Sequence, residues 1–192
     1  MKSKVFLSVI IFLLNLCNVY SQDSSVKFLI QSDGTMLTED GKGYQIIIFD
    51  GESQEEIFNK LIIGVTAIFV DPKSVISTVE NQLISISGVR GIQRDLGGLW
   101  GNSMVYFHYV IKIHIKEGRV KVDSPSFSLL SFDSGYIQDD IPGWLVAQKI
   151  FTKDGQPNKK KEIYYDFYNR VNESFSSLIN QILNYSASNE EW

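Results

Sequence analysis

The sequence predicts an α+β domain, a curved antiparallel β-sheet with two long helices packed on one of its faces. Three observations carry that expectation. Ser53-Gln54-Glu55-Glu56 is a capping box, in which the serine hydroxyl and the glutamate each satisfy a free backbone N–H at a helix start. Ile57, Leu61, Val65 and Ile68 then recur on one stripe, widened by Phe58, Ile62 and Phe69, until Asp71-Pro72 stops the run; the spacing predicts a helix over 54–69. Met104 to Lys116 alternates instead. Its odd positions from Val105 to Ile115 are all apolar, and Glu117-Gly118 makes a tight turn into a partner strand, Arg119 to Asp123. Glu162 to about Tyr185 is again amphipathic at helical spacing, with Ile163, Phe167, Val171, Leu178 and Ile182 facing inward.

The other elements are shorter. Val26 to Ile30 suits a short strand ahead of the turns Ser32-Asp33-Gly34 and Asp40-Gly41. Tyr44 to Phe49 is an apolar run between glycine-bearing turns and reads as a buried strand. Val75 to Val79 and Leu83 to Ser87 form a hairpin around Glu80-Asn81-Gln82. Residues 88 to 101 are glycine-rich and read as irregular. Trp144 to Phe151 suits a strand or a helix equally, inside a stretch (124–161) with little pattern, and Lys153 to Pro157 is a loop. There is no internal repeat and no linker, so residues 22–192 read as a single domain with its core over about 43–185.

The first 21 residues read differently. Lys2 and Lys4 precede the apolar run Val5 to Leu14, and Val19-Tyr20-Ser21 offers a cleavage site before Gln22, the arrangement of a secretory signal peptide. The run is too short for a comfortable span of about 20 residues. Lipid attachment at Cys17 is disfavoured, because Leu16 stands where a small residue is required. Cys17 is the only cysteine, so the exported product is expected to have no thiol, hence no disulfide and no thiolate metal site. Without the leader, 16 basic residues face 22 acidic ones, a net charge of −6. Such a chain is a poor nucleic-acid or anionic-membrane binder by bulk charge. The expectation is an exported protein, periplasmic or secreted, with no stable membrane span after cleavage.

Residues 43 to 123 resemble a known family. An apolar strand leads into Gly51-Glu52-Ser53-Gln54-Glu55-Glu56-Ile57-Phe58 before a helix ending near Pro72. Val75-Ile76 and Ile84-Ser85-Ile86-Ser87-Gly88 follow, then a long strand running into Lys116-Glu117-Gly118-Arg119-Val120. The pattern is similar to the domain of unknown function, found in small exported bacterial proteins, whose fold is like that of the TATA-box-binding protein (TBP). That family typically carries a Gly-Lys-Ser-like stretch and a Lys-Asp-Gly-Arg turn, where this chain has Gly51-Glu52-Ser53 and Lys116-Glu117-Gly118-Arg119. The resemblance spans about half of the chain beyond the leader. It implies a TBP-like, helix-grip-like fold and export, and brings neither an activity nor catalytic residues.

No set of residues makes a convincing catalytic site. His108 and His114, the only histidines, share a strand face but stand roughly 20 Å apart at strand spacing, too far to hold one metal. Leu96-Gly97-Gly98-Leu99-Trp100-Gly101 lacks the following lysine and helix of a phosphate loop, although Trp100 on a loop is a contact candidate. Asp133, Asp139 and Asp140 lack the spacing of a calcium loop, and no Gly-x-Ser-x-Gly elbow occurs. Lys159-Lys160-Lys161 reads as a solvated helix approach, Asp166 and Arg170 as a surface pair, and the two Asn-x-Ser triplets at Asn172 and Asn184 as chance matches. The expected function is therefore non-enzymatic binding of a protein or cell-envelope component, with no cofactor, metal or nucleic acid. The alternative is a carrier of a small apolar ligand held between sheet and helix, with Tyr44, Phe58, Phe107, Tyr109 and Phe167 lining its cavity; less favoured is a hydrolase using carboxylates alone.

Overall fold

The capping box forms as the sequence implies. The Ser53 hydroxyl accepts from the Glu56 N–H at 3.3 Å, and Glu56 Oε2 accepts from the Ser53 N–H at 2.8 Å. The Ser53 hydroxyl also donates to Glu56 Oε2 at 2.7 Å, and this bond, followed by the one from the Ser53 N–H, holds the Glu56 carboxyl below its ordinary range. The helix, α1, runs Gln54–Ile68 and ends as Phe69 turns extended. The structure is a computed structural model that describes residues 25–95, 101–130, 137–138, 141–160 and 162–188. The expected leader with Cys17, the contact candidate Trp100, and Asp133, Asp139 and Asp140 lie outside the described residues.

In chain order the strands are β1 (Leu29–Ile30), β2 (Met36–Leu37), β3 (Tyr44–Ile48), β4 (Ile76–Val79), β5 (Leu83–Asp95), β6 (Asn102–Lys116), β7 (Arg119–Asp123), β8 (Ser126–Leu130) and β9 (Ile137–Gln138). A one-turn helix α2 (Pro72–Val75) leads into β4, and α3 (Ile141–Ala147) and α4 (Glu162–Ser188) follow the strands. The large sheet is antiparallel and open, ordered β3-β7-β6-β5-β4. β6 is its spine. One edge pairs with β5 along its whole length; the other pairs with β7 through Ile113↔Val122 and with β8 through Tyr109↔Phe127, while β9 pairs with β8.

Alternation on β6 decides which face is covered. Phe107, Tyr109, Ile111, Ile113 and Ile115 are buried, with Ile84 and Ile86 of β5 and Val120 and Val122 of β7 on the same face. Ile57, Leu61 and Val65 of α1 and Phe167, Val171, Phe175, Leu178, Ile179 and Ile182 of α4 complete that core. The two helices also pack on one another, and Gly64 permits it: a Cβ built there would stand 2.4 Å from the Ile182 carbonyl oxygen.

Four segments differ from the sequence expectation. Residues 88–95, expected to be irregular, continue β5. The weak strand positions Gly88 and Gly91 are each covered by an aromatic from β6: a Cβ at Gly88 would meet the Tyr109 hydroxyl at 2.9 Å, and one at Gly91 would meet Met104 and Tyr106 at 2.9 and 3.0 Å. A ring laid over a glycine replaces the side chain that the strand lacks. β3 is not a buried strand but an edge, with only Ile47 fully buried; an apolar run cannot show whether its second face meets anything. Within 124–161, residues Ser126–Leu130 form β8, and the ambiguous Trp144 stretch begins in helix α3.

The fourth difference is at the N-terminal side. Only Leu29–Ile30 is strand, and the extended segment from Val26 docks chiefly on a helix. The N–H groups of Val26, Phe28 and Ile30 donate to Asn180 Oδ1, Ser176 Oγ and Asn172 Oδ1 at 2.7, 3.1 and 2.7 Å. The match is geometric: four residues of helix rise about 6 Å, as do two of extended chain. Asn172 and Ser176 are thereby the buried polar side chains of α4. Asn172 is occupied, which agrees with setting its glycosylation triplet aside.

Candidate functional site

The sheet has a second face, and no described element covers it. Alternation places Tyr44, Ile46 and Ile48 of β3, Arg119, Lys121 and Asp123 of β7, and the even residues of β6 on that side. Three exposed basic groups, Lys112, Lys116 and Arg119, crowd its β6–β7 end, and none is engaged in an ion pair among the described residues. Asp123 is the acidic exception. It accepts from Lys121 at 2.8 Å and is joined to His114 Nε2 at 2.7 Å. Partial burial pushes its carboxyl up, but the bonds from Lys121 and His114 outweigh this and leave it below the ordinary range. Lys121 also lies over the Tyr44 ring at 5.7 Å, which ties the basic end to the apolar edge.

Large apolar side chains are spread over the same face. Tyr44, Ile46 and Ile48 are 40, 47 and 58% exposed, and Val79, Val89 and Met104 about half exposed. A chain with an acidic excess thus carries on one side of its sheet a mixture of aliphatic groups and free cations. Charge counting over the whole sequence conceals this, because it averages over faces. The alternation of β6 and β7 was the signal that would have found it.

Of the sequence-named candidates, three come together and two stand apart. Phe107, Tyr109 and Phe167 are buried on the covered face, in a network of rings that includes three the sequence reading did not offer as candidates. Phe107 meets Phe127, Trp144 and Phe175 edge-on at centroid distances of 5.3, 6.4 and 6.2 Å. Tyr109 meets Phe175 at 5.8 Å, and Trp144 meets Phe167 at 6.1 Å. These rings pack on one another between sheet and α4. Burial also pushes the Tyr109 phenol up. Phe58 is half-buried on α1, and Tyr44 stands at the far edge of the other face.

His108 and His114 share the uncovered face, as expected, and among the described residues only His114 has a carboxylate partner. Among the described residues no three His, Cys, Asp or Glu side chains are grouped to hold a metal ion, and no helix is long and apolar enough to cross a membrane. Asp166 and Arg170 form the expected pair at 2.6 Å.

An open antiparallel sheet with two long helices on one face and a bare second face is a TBP-like α+β fold. Solved structures agree. The chain is similar to a TBP-like protein from Parabacteroides distasonis, with a TM-score of 0.53 and 11% identity over 76% of this chain and 91% of that one. It is also similar to a DUF4468 family protein from Bacteroides ovatus, with a TM-score of 0.57 and 12% identity over 83% and 91%. At such identities the likeness establishes the fold. No protein-family model and no curated protein sequence matches the chain.

Proposed function

We propose that the protein is an exported, non-enzymatic binding domain that takes a protein or a cell-envelope component on the uncovered face of its sheet. The observation that carries this reading is the asymmetry of the sheet: one face is closed by helices, while the other offers Ile46 and Ile48 beside Arg119 and Lys116, with Lys112, Val89 and Met104 farther along β5 and β6. Exposed aliphatic groups next to free cations suit a partner with apolar and acidic groups, which gains burial and charge complementarity together. Export is inferred from Lys2, Lys4, the Val5 to Leu14 run and Ser21. The carrier reading is weaker, because Phe107, Tyr109 and Phe167 are committed to ring packing. The −6 charge beyond the leader and the export signal argue against a nucleic-acid partner.

Native mass spectrometry of the protein isolated from its source tests this. A protein or envelope polymer retained by the wild type, and lost when Lys112, Lys116 and Arg119 are changed to Glu, supports the reading. A retained small molecule unaffected by those changes would replace it with the carrier.

A further inference from the structure

The two edges of the sheet are built differently. β4 is shorter and half polar, Ile76-Ser77-Thr78-Val79, and is entered through the turn of α2 by the bond from Ile76 N–H to the Pro72 oxygen. β3, Tyr44-Gln45-Ile46-Ile47-Ile48, has no charge, no proline and no bulge. Natural sheets blunt exposed edges with those devices, because a row of unpaired N–H and C=O groups invites another strand. β3 has such a row. The bonds from Ser124 N–H to the Gly43 oxygen and from Phe49 N–H to the Gly118 oxygen, both 2.9 Å, show that odd-numbered residues face β7. Tyr44, Ile46 and Ile48 therefore turn their backbone groups to the open side, and no backbone hydrogen bond reaches them there among the described residues. Their apolar side chains are exposed as well. Beside that edge runs an open groove of about 590 Å³, walled by Ser25, Lys27, Thr38, Glu39, Asp40 and Lys42.

We propose that β3 is the interface between two copies of this chain, paired antiparallel about a two-fold axis at Ile46. The strand is self-complementary about that residue: Ile46 lies opposite its own copy, and Tyr44 lies opposite Ile48 of the second chain. All three positions are then hydrogen-bonded pairs, about six new backbone bonds, and three exposed apolar side chains from each copy meet on one face. Charge permits the pairing. The Ile48 end, flanked by Arg119 and Lys116, meets the Tyr44 end of the other copy, where Asp123, Glu39 and Asp40 stand among Lys121, Lys27 and Lys42. A C2 contact of this kind is isologous and closes on itself, so it yields a dimer and not a fibre. It would join two sheets into one and double the uncovered face. The inference shares Ile46 and Ile48 with the partner reading but rests on the open backbone edge of β3, so self-association measured without any partner can fail while partner binding stands, and the reverse.

Sedimentation velocity of the exported protein from about 1 to 100 μM, in the absence of any partner, tests it. The wild type is expected to dimerise. Ile46→Pro removes an N–H that the β3–β7 ladder does not use, so it blocks pairing and leaves the fold; it should raise the midpoint of dimerisation roughly tenfold or more. Ile46→Lys, which keeps the N–H but charges the edge, should do the same, and circular dichroism checks that both variants fold. Val89→Lys, on the face and away from the edge, should dimerise as the wild type does. A wild type that is monomeric throughout, with or without affinity for some foreign strand, overturns the proposal. So does a dimer that survives in folded Ile46→Pro.

Discussion

Replacing Gly64 by alanine tests how closely the two long helices approach. The added Cβ would lie 2.4 Å from the Ile182 oxygen and 3.3 Å from its carbonyl carbon. A carbon–oxygen contact settles at about 3.3–3.6 Å, so α1 and α4 must part by about 1 Å. The obstacle is helix backbone, which no rotamer change can move. Overpacking of this kind costs about 1–3 kcal/mol, and parting the helices also loosens Leu61, Val65, Ile179 and Ile182, all buried beside the crossing. Against this, alanine gains about 1 kcal/mol of helix propensity over glycine. The expected net loss is about 1–2 kcal/mol, roughly 2–8 °C in Tm for a domain of this size. Urea and thermal melts followed by far-ultraviolet circular dichroism measure it, with Thr66→Ala on the exposed side of α1 as a control within about 0.5 kcal/mol of wild type. A Gly64→Ala protein more stable than wild type would refute the close crossing.

Leu61 is fully buried on α1, so Leu61→Ala should cost about 2–5 kcal/mol in the same melts; a loss below about 1 kcal/mol would mean that the helix presents another face. Asn172→Ala leaves the buried Ile30 N–H without its acceptor and should cost about 1–3 kcal/mol, with faster hydrogen exchange at Ile30, whereas unchanged exchange would count against the docked segment. The lowered Asp123 carboxyl contributes stability above its ordinary pKa of about 3.9, and loses it as pH falls through the lower folded value. Asp123→Asn should therefore be the less stable protein at pH 6, with the gap closing below about pH 3–4; a gap that is constant with pH would contradict the assignment. If the leader is cleaved as proposed, N-terminal sequencing of the protein isolated from its source should begin at Gln22, within about two residues, and a product retaining Val5 to Leu14 would remove the case for a cleaved leader.

What could be read from sequence follows the range of the interactions. α1 announces itself because its cap closes within four residues, Ser53 to Glu56, and its stripe repeats along one helix. β6 and its turn at Glu117-Gly118 are equally local: alternation marks the covered face, and Gly118 takes the positive φ of 67° that a tight turn needs. The rest depended on partners distant in sequence. Gly88 and Gly91 look like loop residues until Tyr109 and Tyr106 of the neighbouring strand cover them. The polar ladder Asn172, Ser176, Asn180 is visible at helical spacing, yet its meaning lies in Val26 to Ile30, about 150 residues earlier. β3 shows the same limit at the candidate site, since its apolar run is the same whether one face or both are buried. The aromatic candidates meet a related limit: side-chain type selects the interior but does not distinguish rings that line a space from rings that pack on one another.

Hydroxyl-radical footprinting of the protein, alone and with any component that it retains on isolation from its source, tests the central claim most directly. If the uncovered face is the binding surface, Met104, His108 and His114 lose reactivity on binding, while Tyr185 on the outer side of α4 and Ile63 on α1 keep theirs. Protection confined to the helices, with Met104 and both histidines unchanged, would contradict it.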